Sequence, residues 1–256
     1  MLNYLRKKRR TLIAKGNLIS YLAFASGEIL LVMVGILLAL QVNNWNENRK
    51  MIKEESKYLQ RIYSDLEIDS SYFSQRIIRS NQEILNYYKF IHESYKEVKT
   101  KEEYAALIQL TWFGSEHLTI QNSTFLEMIN AGKFDLIRND SLKTAINKLY
   151  TRYEAVGKHL KEFNEYSVSL LTEWAKLLKD SRYRQQNADL FDEPFMFDPD
   201  DWQWINDYRS HEFLYAQETT SLYSVKHKVF ISYFDQLMDE ISEIRNTIRD
   251  ELDEGL

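Results

Sequence analysis

The stretch LISYLAFASGEILLVMVGILLALQV, residues 18–42, is long and apolar enough to cross a lipid bilayer as one helix. At about 1.5 Å per residue it spans about 37 Å, which exceeds a hydrocarbon core of about 30 Å and allows some tilt. Fourteen of its 25 residues are Leu, Ile, Val or Phe, and together they favour insertion by roughly 4 to 8 kcal/mol. Glu28 opposes insertion by about 3 kcal/mol, so the balance predicts a transmembrane helix.

The charges on either side of this segment predict its orientation. Residues 1–17 carry six of the 33 Lys and Arg residues and no acid, so this basic tail is expected to be cytoplasmic. The other flank carries four bases between residues 49 and 57, which makes the asymmetry six to four. We therefore expect the N-terminus inside and residues 43–256 outside the cytoplasm.

A cleaved signal peptide is the alternative interpretation of the apolar segment. Such a peptide needs small residues around an A-x-A-like cleavage site, and Leu38-Ala39-Leu40 fits that pattern poorly. Tyr21 and Trp45 lie near the two ends of the segment, where interfacial aromatic residues anchor a membrane span.

Small residues recur along one side of the apolar helix, at multiples of four: Ala23, Gly27, Gly35 and Ala39. Such a ridge lets a second helix approach closely in lipid. Glu28 borders the ridge beside Gly27, and ionisable groups within membranes usually face protein or water. We predict that these five residues form an intramembrane interaction site for a partner or a second copy of the chain. The alternative is a tolerated acid, satisfied by its own helix backbone, by water or by a lipid head group.

Long helices are predicted beyond the apolar segment, because the chain has only 7 Gly and 2 Pro and shows sustained helical periodicity. From residue 43 the polar chain continues in helical register without a linker. Its predicted buried stripe consists of Ile52, Leu59, Ile62, Leu66, Phe73, Ile77, Ile84, Tyr88, Ile91, Tyr95 and Val98.

Two later stretches carry a heptad pattern with two core rows each. In the first, which Asn139 or Asp140 caps, the rows are Leu142, Leu149, Val156, Phe163, Leu170 and Leu177, and Ile146, Tyr153, Leu160, Ser167 and Trp174. In the second, near residues 210–252, they are Ala216, Tyr223, Phe230, Leu237 and Ile244, and Thr220, His227, Phe234, Ile241 and Ile248. The pattern predicts an all-α protein, with one N-terminal transmembrane helix followed by an elongated antiparallel helical bundle. A parallel coiled-coil oligomer is the alternative.

The region 100–139 lacks this periodicity and predicts two short helices and loops. Thr124-x-x-Glu127 predicts a capping box, and Gly132 after Ala131 predicts a helix end.

An aromatic and acidic loop is predicted at residues 189–215, between the last two long helices. Aromatic side chains supply rigid contact area at interfaces, so the loop is a candidate recognition surface, with Phe195, Phe197, Trp202 and Trp204 as its central residues. A lid packed on the bundle is the alternative.

Motifs for catalysis or for cofactor binding do not occur in the sequence. It has no Cys, no HExxH pairing among its five His residues, and no Gly-rich phosphate loop. His227 lies on a core row and is expected to be a hydrogen-bonded core residue. We expect no catalytic residue, no cofactor and no metal site. Nucleic acid is not an expected partner, because 27 bases face 38 acids beyond the basic tail.

Two stretches resemble a known family: GEILLVMVGILLALQVNNWNENRK, residues 27–50, and NSTFLEMINAGKFDLIRNDSLKTAINKLY, residues 122–150. Both are similar to an uncharacterised family of single-pass membrane proteins of Bacteroidota, domain of unknown function 6090. The resemblance implies a membrane anchor with a helical extracytoplasmic domain, and it brings no known activity and no catalytic residues.

The expected protein is therefore anchored in the bacterial inner membrane and has a periplasmic domain. Its expected function is a non-enzymatic protein-interaction or complex-assembly module, with the bilayer and a protein partner or homo-oligomer as partners. The alternative is a periplasmic ligand-sensing helical bundle that acts through a partner. Against that alternative, sensor domains usually lie between two membrane helices, and the sequence shows one.

Overall fold

The computed structural model describes residues 18–178 and 199–254, which form five α-helices, two 3-10 helices and no strand. The α-helices are α1 (Leu18–Ser94), α2 (Lys101–Leu110), α3 (Ser123–Asn130), α4 (Asp140–Leu178) and α5 (His211–Glu254), and the 3-10 helices are Phe134–Leu136 and Pro199–Asn206. The predicted all-α class is confirmed for the described residues, whereas the elongated antiparallel bundle stays a prediction. The chain divides into two compact units, and the boundary lies between Lys57 and Tyr58.

The first unit contains the apolar part of α1, whose large side chains are exposed on every side of the helix. The exposed ones are Ile29, Leu30, Leu31, Val32, Met33, Val34, Ile36, Leu37, Leu38, Leu40 and Val42. A helix of a soluble domain buries an apolar stripe, but the most apolar window of this helix is not buried at all. By length and composition the helix is suited to be a membrane span or a signal sequence.

The core of the second unit consists mainly of the predicted heptad residues of α4 and α5. All ten core-row residues of α5 are buried. In α4 the predicted residues Leu142, Ile146, Leu149 and Leu160 are also buried. Each fully buried aliphatic or aromatic side chain contributes roughly 1.5–3 kcal/mol to the free energy of folding, so these rows account for much of the packing.

Side-chain contacts show the relative directions of the long helices within this unit. Helices α4 and α5 are joined by a contact of Arg152 with Glu240 and by a hydrogen bond from Tyr223 to the Ser167 carbonyl. Helices α1 and α5 are joined by a contact of Arg245 with Tyr63 and by one of His227 with Ser80. In both pairs the residue numbers rise on one helix as they fall on the other. Both α4 and the second-unit part of α1 are therefore antiparallel to α5, so they run in the same direction as each other.

Beyond Phe73 the buried side of α1 agrees with the prediction only in part: Ile84 is buried, and Ile77 and Ile91 are partly buried. Tyr88, Tyr95 and Val98, which were expected to be buried, are exposed. The row that is actually buried keeps a spacing of seven throughout: Leu59, Leu66, Phe73, Ser80, Tyr87 and Ser94. Two serines interrupt the apolar pattern of this row, so the pattern by itself favours a neighbouring row.

The predicted capping box at Thr124 and Glu127 is wrong. Helix α3 has no side-chain cap, and the Glu127 carboxylate accepts hydrogen bonds from Tyr58 and Arg61, which attach α3 to α1. A capping box does occur at α2, where the Glu103 N–H donates to Thr100 Oγ1 at 3.2 Å and the Thr100 N–H donates to Glu103 Oε2 at 2.8 Å.

The other predicted helix ends agree with the structure. Asn139 caps α4, since its Oδ1 accepts from the Leu142 N–H at 3.0 Å. Gly132 follows the end of α3 with a φ of 64°, a left-handed conformation that glycine adopts without strain.

Candidate functional site

Residues 111–122, here called the strap, form neither helix nor strand and lie against all three long helices. A buried backbone without a repeating structure still needs partners for its N–H and C=O groups. Side chains of α1, α4 and α5 supply such partners, and three of the buried polar residues, Asp69, Asn164 and Lys226, bond directly to the backbone of the strap.

Three charged residues of α1, called here the polar row, hold the strap along its length. Asp69, Arg76 and Glu83 are seven residues apart, and so lie on one side of the helix. Asp69 Oδ1 accepts from the Gln121 N–H at 2.8 Å, and Arg76 pairs with the Glu116 carboxylate at 3.0 Å. Glu83 Oε2 accepts from the Trp112 N–H at 3.3 Å, so the residue numbers in the strap fall as those in α1 rise. The strap is therefore antiparallel to α1.

Helix α4 contributes an amide and a phenol to the strap. The Asn164 side chain forms two hydrogen bonds with the backbone of Glu116: its Oδ1 accepts from the N–H at 3.2 Å, and its Nδ2 donates to the carbonyl. The Tyr150 hydroxyl donates to the Gln121 carbonyl at 3.2 Å. Asn164 thus satisfies both backbone groups of one residue, in the manner of a neighbouring strand.

Helix α5 contributes a buried lysine. The Lys226 Nζ donates to the Gly114 carbonyl at 2.9 Å and lies over the rings of Tyr223 and Phe230 at 4.8 and 5.6 Å from their centroids. Burial lowers the pKa of Lys226 to about 8, and the nearby Glu116 carboxylate partly offsets this shift.

A hydrogen-bonded chain connects α5 and α1 to the first part of the strap. The Tyr87 hydroxyl donates to the Trp112 carbonyl, so it accepts from His227 Nε2, which lies 3.3 Å away. His227 Nδ1 then accepts from the Ser80 hydroxyl at 3.1 Å, which assigns the hydrogen to Nε2. Burial lowers the pKa of His227 to about 4, in agreement with a neutral ring. His227 is thus the hydrogen-bonded core histidine that its heptad position predicts.

Asp69 is the most strongly perturbed carboxyl group of the polar row. It is 1% exposed, and burial raises its pKa to about 6, although the hydrogen bonds from the Gln121 N–H and the Tyr153 hydroxyl act in the opposite direction. The neutral acid is therefore populated in the folded protein at mildly acidic pH.

Replacing Gly114 with alanine should displace the Trp112 ring. A Cβ at Gly114 would lie 2.0 Å from the nearest Trp112 ring atom, and this ring lies under the Arg79 guanidinium at 4.2 Å. We expect the free energy of unfolding to fall by about 1–3 kcal/mol, as in other overpacked sites. Chemical denaturation measures the loss, and Gly157→Ala is the matched control because the nearest atom to its Cβ is 3.7 Å away. Gly157→Ala should be at least as stable as the wild type, since alanine is favoured over glycine inside a helix. A Gly114→Ala variant that is also as stable as the wild type would show that Trp112 moves without cost.

The predicted intramembrane residues all lie on the first-unit part of α1. Glu28 is partly exposed, Gly27, Gly35 and Ala39 are exposed, and no atom lies within 4 Å of a Cβ placed on either glycine. The side chain of Ala23 lies outside the described part of the structure. The ridge is thus open to a neighbouring helix.

The predicted aromatic loop is only partly described. Phe195, Phe197 and the side chain of Trp202 lie outside the described residues. Trp204 lies in the 3-10 helix Pro199–Asn206, and its ring meets the ring of Tyr104 edge-on at 5.1 Å. Trp204 is therefore packed, as one of the partly buried residues, against a hydrophobic cluster that consists of Phe90, Tyr104, Ile108, Ile205 and Ala216.

A separate open groove of about 370 Å³ lies between α4 and α5. It is lined by His159, Glu162, Phe163, Tyr166 and Tyr233, and His159 Nδ1 lies 3.0 Å from the Tyr233 hydroxyl. The sequence does not predict this groove, since its five side chains come from two helix segments more than 60 residues apart. Among the described residues no three His, Asp or Glu side chains form a group that could hold a metal ion.

The family assignment rests on the N-terminal and middle parts of the chain. The model of a family of unknown function, DUF6090, matches residues 28–170, which include most of α1, the strap and most of α4. No curated protein and no solved structure shows significant similarity to the chain. Because the match extends over more than half of the 256 residues, the chain belongs to the DUF6090 family of unknown function.

Proposed function

We propose that the protein is anchored in a membrane by the apolar part of α1, and that its helical bundle outside the membrane binds other proteins or organises a complex. The observation that carries the anchor is the exposure of apolar side chains around the whole helix between Ile29 and Val42. Lipid is the environment in which such a surface is stable.

The proposed location is the inner membrane of a bacterium, with the N-terminus in the cytoplasm and the bundle in the periplasm. The six bases of residues 1–17 support this orientation, and the resemblance to single-pass proteins of Bacteroidota supports the compartment.

The absence of Cys permits a direct test of this topology, because one introduced Cys is the only thiol. We expect Lys161→Cys, at an exposed position of α4, to react with a membrane-impermeant maleimide in spheroplasts. Asn3→Cys should react only after the membrane is permeabilised. The reverse labelling pattern would refute the orientation, and loss of the first residues from the mature chain would indicate a cleaved signal peptide.

A role in protein interaction is proposed because the buried charged groups already have structural partners. Asp69, Glu116, Lys226 and His227 bind the strap or its neighbours and do not converge on the open groove. Such a network rigidifies a unique core, which suits a scaffold that presents a fixed surface.

The proposed partner contact within the membrane is the ridge beside Glu28. The test is mild detergent extraction and affinity co-purification from native membranes, comparing the wild type with Glu28→Gln. We expect the amount of the co-purified partner or oligomer to fall roughly three- to twentyfold, because interhelical polar contacts in lipid contribute about 0.6–1.7 kcal/mol. Ser26→Ala is the control on the same helix. If the same partner or oligomer co-purifies with Glu28→Gln in unchanged amount, the contacts that hold the complex lie in the bundle and Glu28 is a tolerated acid.

The groove between α4 and α5 favours ligand sensing as the second candidate function. Its volume of about 370 Å³ falls within the range of small-molecule sites. A ligand that binds only the folded protein would raise its unfolding temperature, and the rise would grow as the ligand concentration exceeds the dissociation constant. A thermal-shift screen of the full chain in detergent therefore tests this alternative.

A further inference from the structure

The groove between α4 and α5 has a lining suited to positive charge. Its five side chains include three aromatic rings (Phe163, Tyr166 and Tyr233), one carboxylate (Glu162) and no Lys or Arg. The faces of aromatic rings carry partial negative charge and attract cations within about 6 Å. A carboxylate beside such rings adds a charged partner.

The inner wall of the groove is held in place, whereas its rim is open. Phe163 meets Phe230 edge-on at 6.2 Å, and the Tyr233 hydroxyl is bonded to His159. At the rim, Tyr166 is 55% exposed and the Glu162 side chain is 58% exposed. A planar group can therefore enter from solvent and lie against rings that are already positioned.

We propose that this groove binds an arginine side chain of a partner protein, with the guanidinium over the tyrosine rings and paired with Glu162. The inference rests on the proposed protein-interaction function and names the contact that the bundle makes. Arginine fits better than lysine because its planar guanidinium both stacks on aromatic rings and forms a bidentate pair with a carboxylate.

Lys158 is the present ion-pair partner of Glu162 and would compete only weakly with an arginine of a partner protein. Lys158 Nζ lies 3.9 Å from Glu162 Oε1, and its side chain is 75% exposed. Exposed pairs of this kind on a helix surface contribute little to stability, so a partner's guanidinium displaces Lys158 readily. The adjacent pair of Lys161 and Glu165, 3.8 Å apart, lies outside the groove.

The first test uses N-acetyl-arginine amide as the probe and isothermal titration calorimetry of the full chain in mild detergent. N-acetyl-citrulline amide is the control ligand, because citrulline has nearly the same shape and no charge. We expect the arginine probe to bind and the citrulline probe to bind at least threefold more weakly. Glu162→Gln and Tyr166→Leu should each weaken the arginine probe about two- to fivefold.

Glu165→Gln is the matched protein control, since Glu165 has a similar ion pair on the same helix but does not line the groove. It should leave binding of the arginine probe unchanged. Equal binding of the two probes, or unchanged binding in Glu162→Gln, would overturn the proposal.

The second test separates this inference from the proposed function. A double variant, Glu162→Gln with Tyr166→Leu, is compared with the wild type by co-purification from native membranes. Loss of the bound partner supports the groove as its contact. Retention of the partner overturns the groove contact while the interaction function stands. If the wild type captures no partner although the arginine probe binds, the protein-interaction function fails and the partner assigned to the groove fails with it.

Discussion

Asn164→Ala is expected to lower the free energy of unfolding by about 2–5 kcal/mol. The Asn164 side chain is buried and bonds both the N–H and the carbonyl of Glu116. Alanine leaves both backbone groups without a partner, and each unsatisfied buried group costs about 1–3 kcal/mol. Because Glu116 is itself buried, water reaches these groups only if the strap moves away from α4.

Urea denaturation of the full chain in mild detergent, followed by circular dichroism, measures this loss. Asn147→Ala is the matched control, because Asn147 is exposed on the same helix and surface substitutions usually stay within about 0.5 kcal/mol. A result for Asn164→Ala within that range would show that the Glu116 backbone finds other partners and that Asn164 does not hold the strap.

The stability of Asp69→Asn relative to the wild type is expected to increase as the pH rises from 4 to 8. The folded-state pKa of Asp69 is raised from 3.8 to about 6. A raised pKa means that the contribution of Asp69 to stability is complete below about pH 4 and is lost as the pH passes through 6. The shift corresponds to a loss of about 3 kcal/mol at neutral pH. Asparagine does not ionise, and its Oδ1 still accepts from the Gln121 N–H.

The measurement is the free energy of unfolding of the wild type and of Asp69→Asn at several pH values between 4 and 8. The difference between the two proteins should change by about 3 kcal/mol in favour of asparagine over this range. Asp253→Asn, at an exposed position near the end of α5, should give a curve parallel to the wild type. If the Asp69→Asn curve is also parallel, Asp69 ionises in the folded protein without cost.

The packing of the later helices was predictable because it depends on local periodicity. In α5 every predicted core position is buried, including the polar Thr220 and His227, since the apolar residues around them define the row. In α1 after Phe73 the same reasoning was only partly right, since Ile84 is buried but Tyr88 is exposed. There the buried row contains Ser80, which is buried because it bonds His227, a contact between residues far apart in sequence.

The strap could not be predicted because its backbone partners are distributed over more than 150 residues of sequence, from Asp69 to Lys226. One signal was nevertheless present. The second row of α1 begins with Ile62 and ends with Phe90, both buried, and holds three charged residues between them at intervals of seven. Charges at core positions of a heptad need partners, so the polar row indicated that polar groups from another part of the chain lie there.

The aromatic region shows why composition alone does not decide between a recognition surface and a packed segment. Tyr95, Tyr208 and Phe213 pack against one another with ring centroids 5.0–5.5 Å apart. Trp204 packs against Tyr104. An aromatic cluster is equally suited to closing the end of a core and to binding a partner, and the choice depends on contacts that the sequence does not contain.

The fixed spacing of the strap has a consequence for how the chain tolerates changes in length. Ordinary surface loops accept insertions and deletions, because few of their residues are tied to the rest of the protein. In the strap, Trp112, Glu116 and Gln121 bind in that order to Glu83, Arg76 and Asp69. The distances between these three residues of the polar row are set by helix α1. Removing one residue between Trp112 and Gln121 would break at least one of these contacts. The length of this irregular segment should therefore be as invariant as that of a core helix.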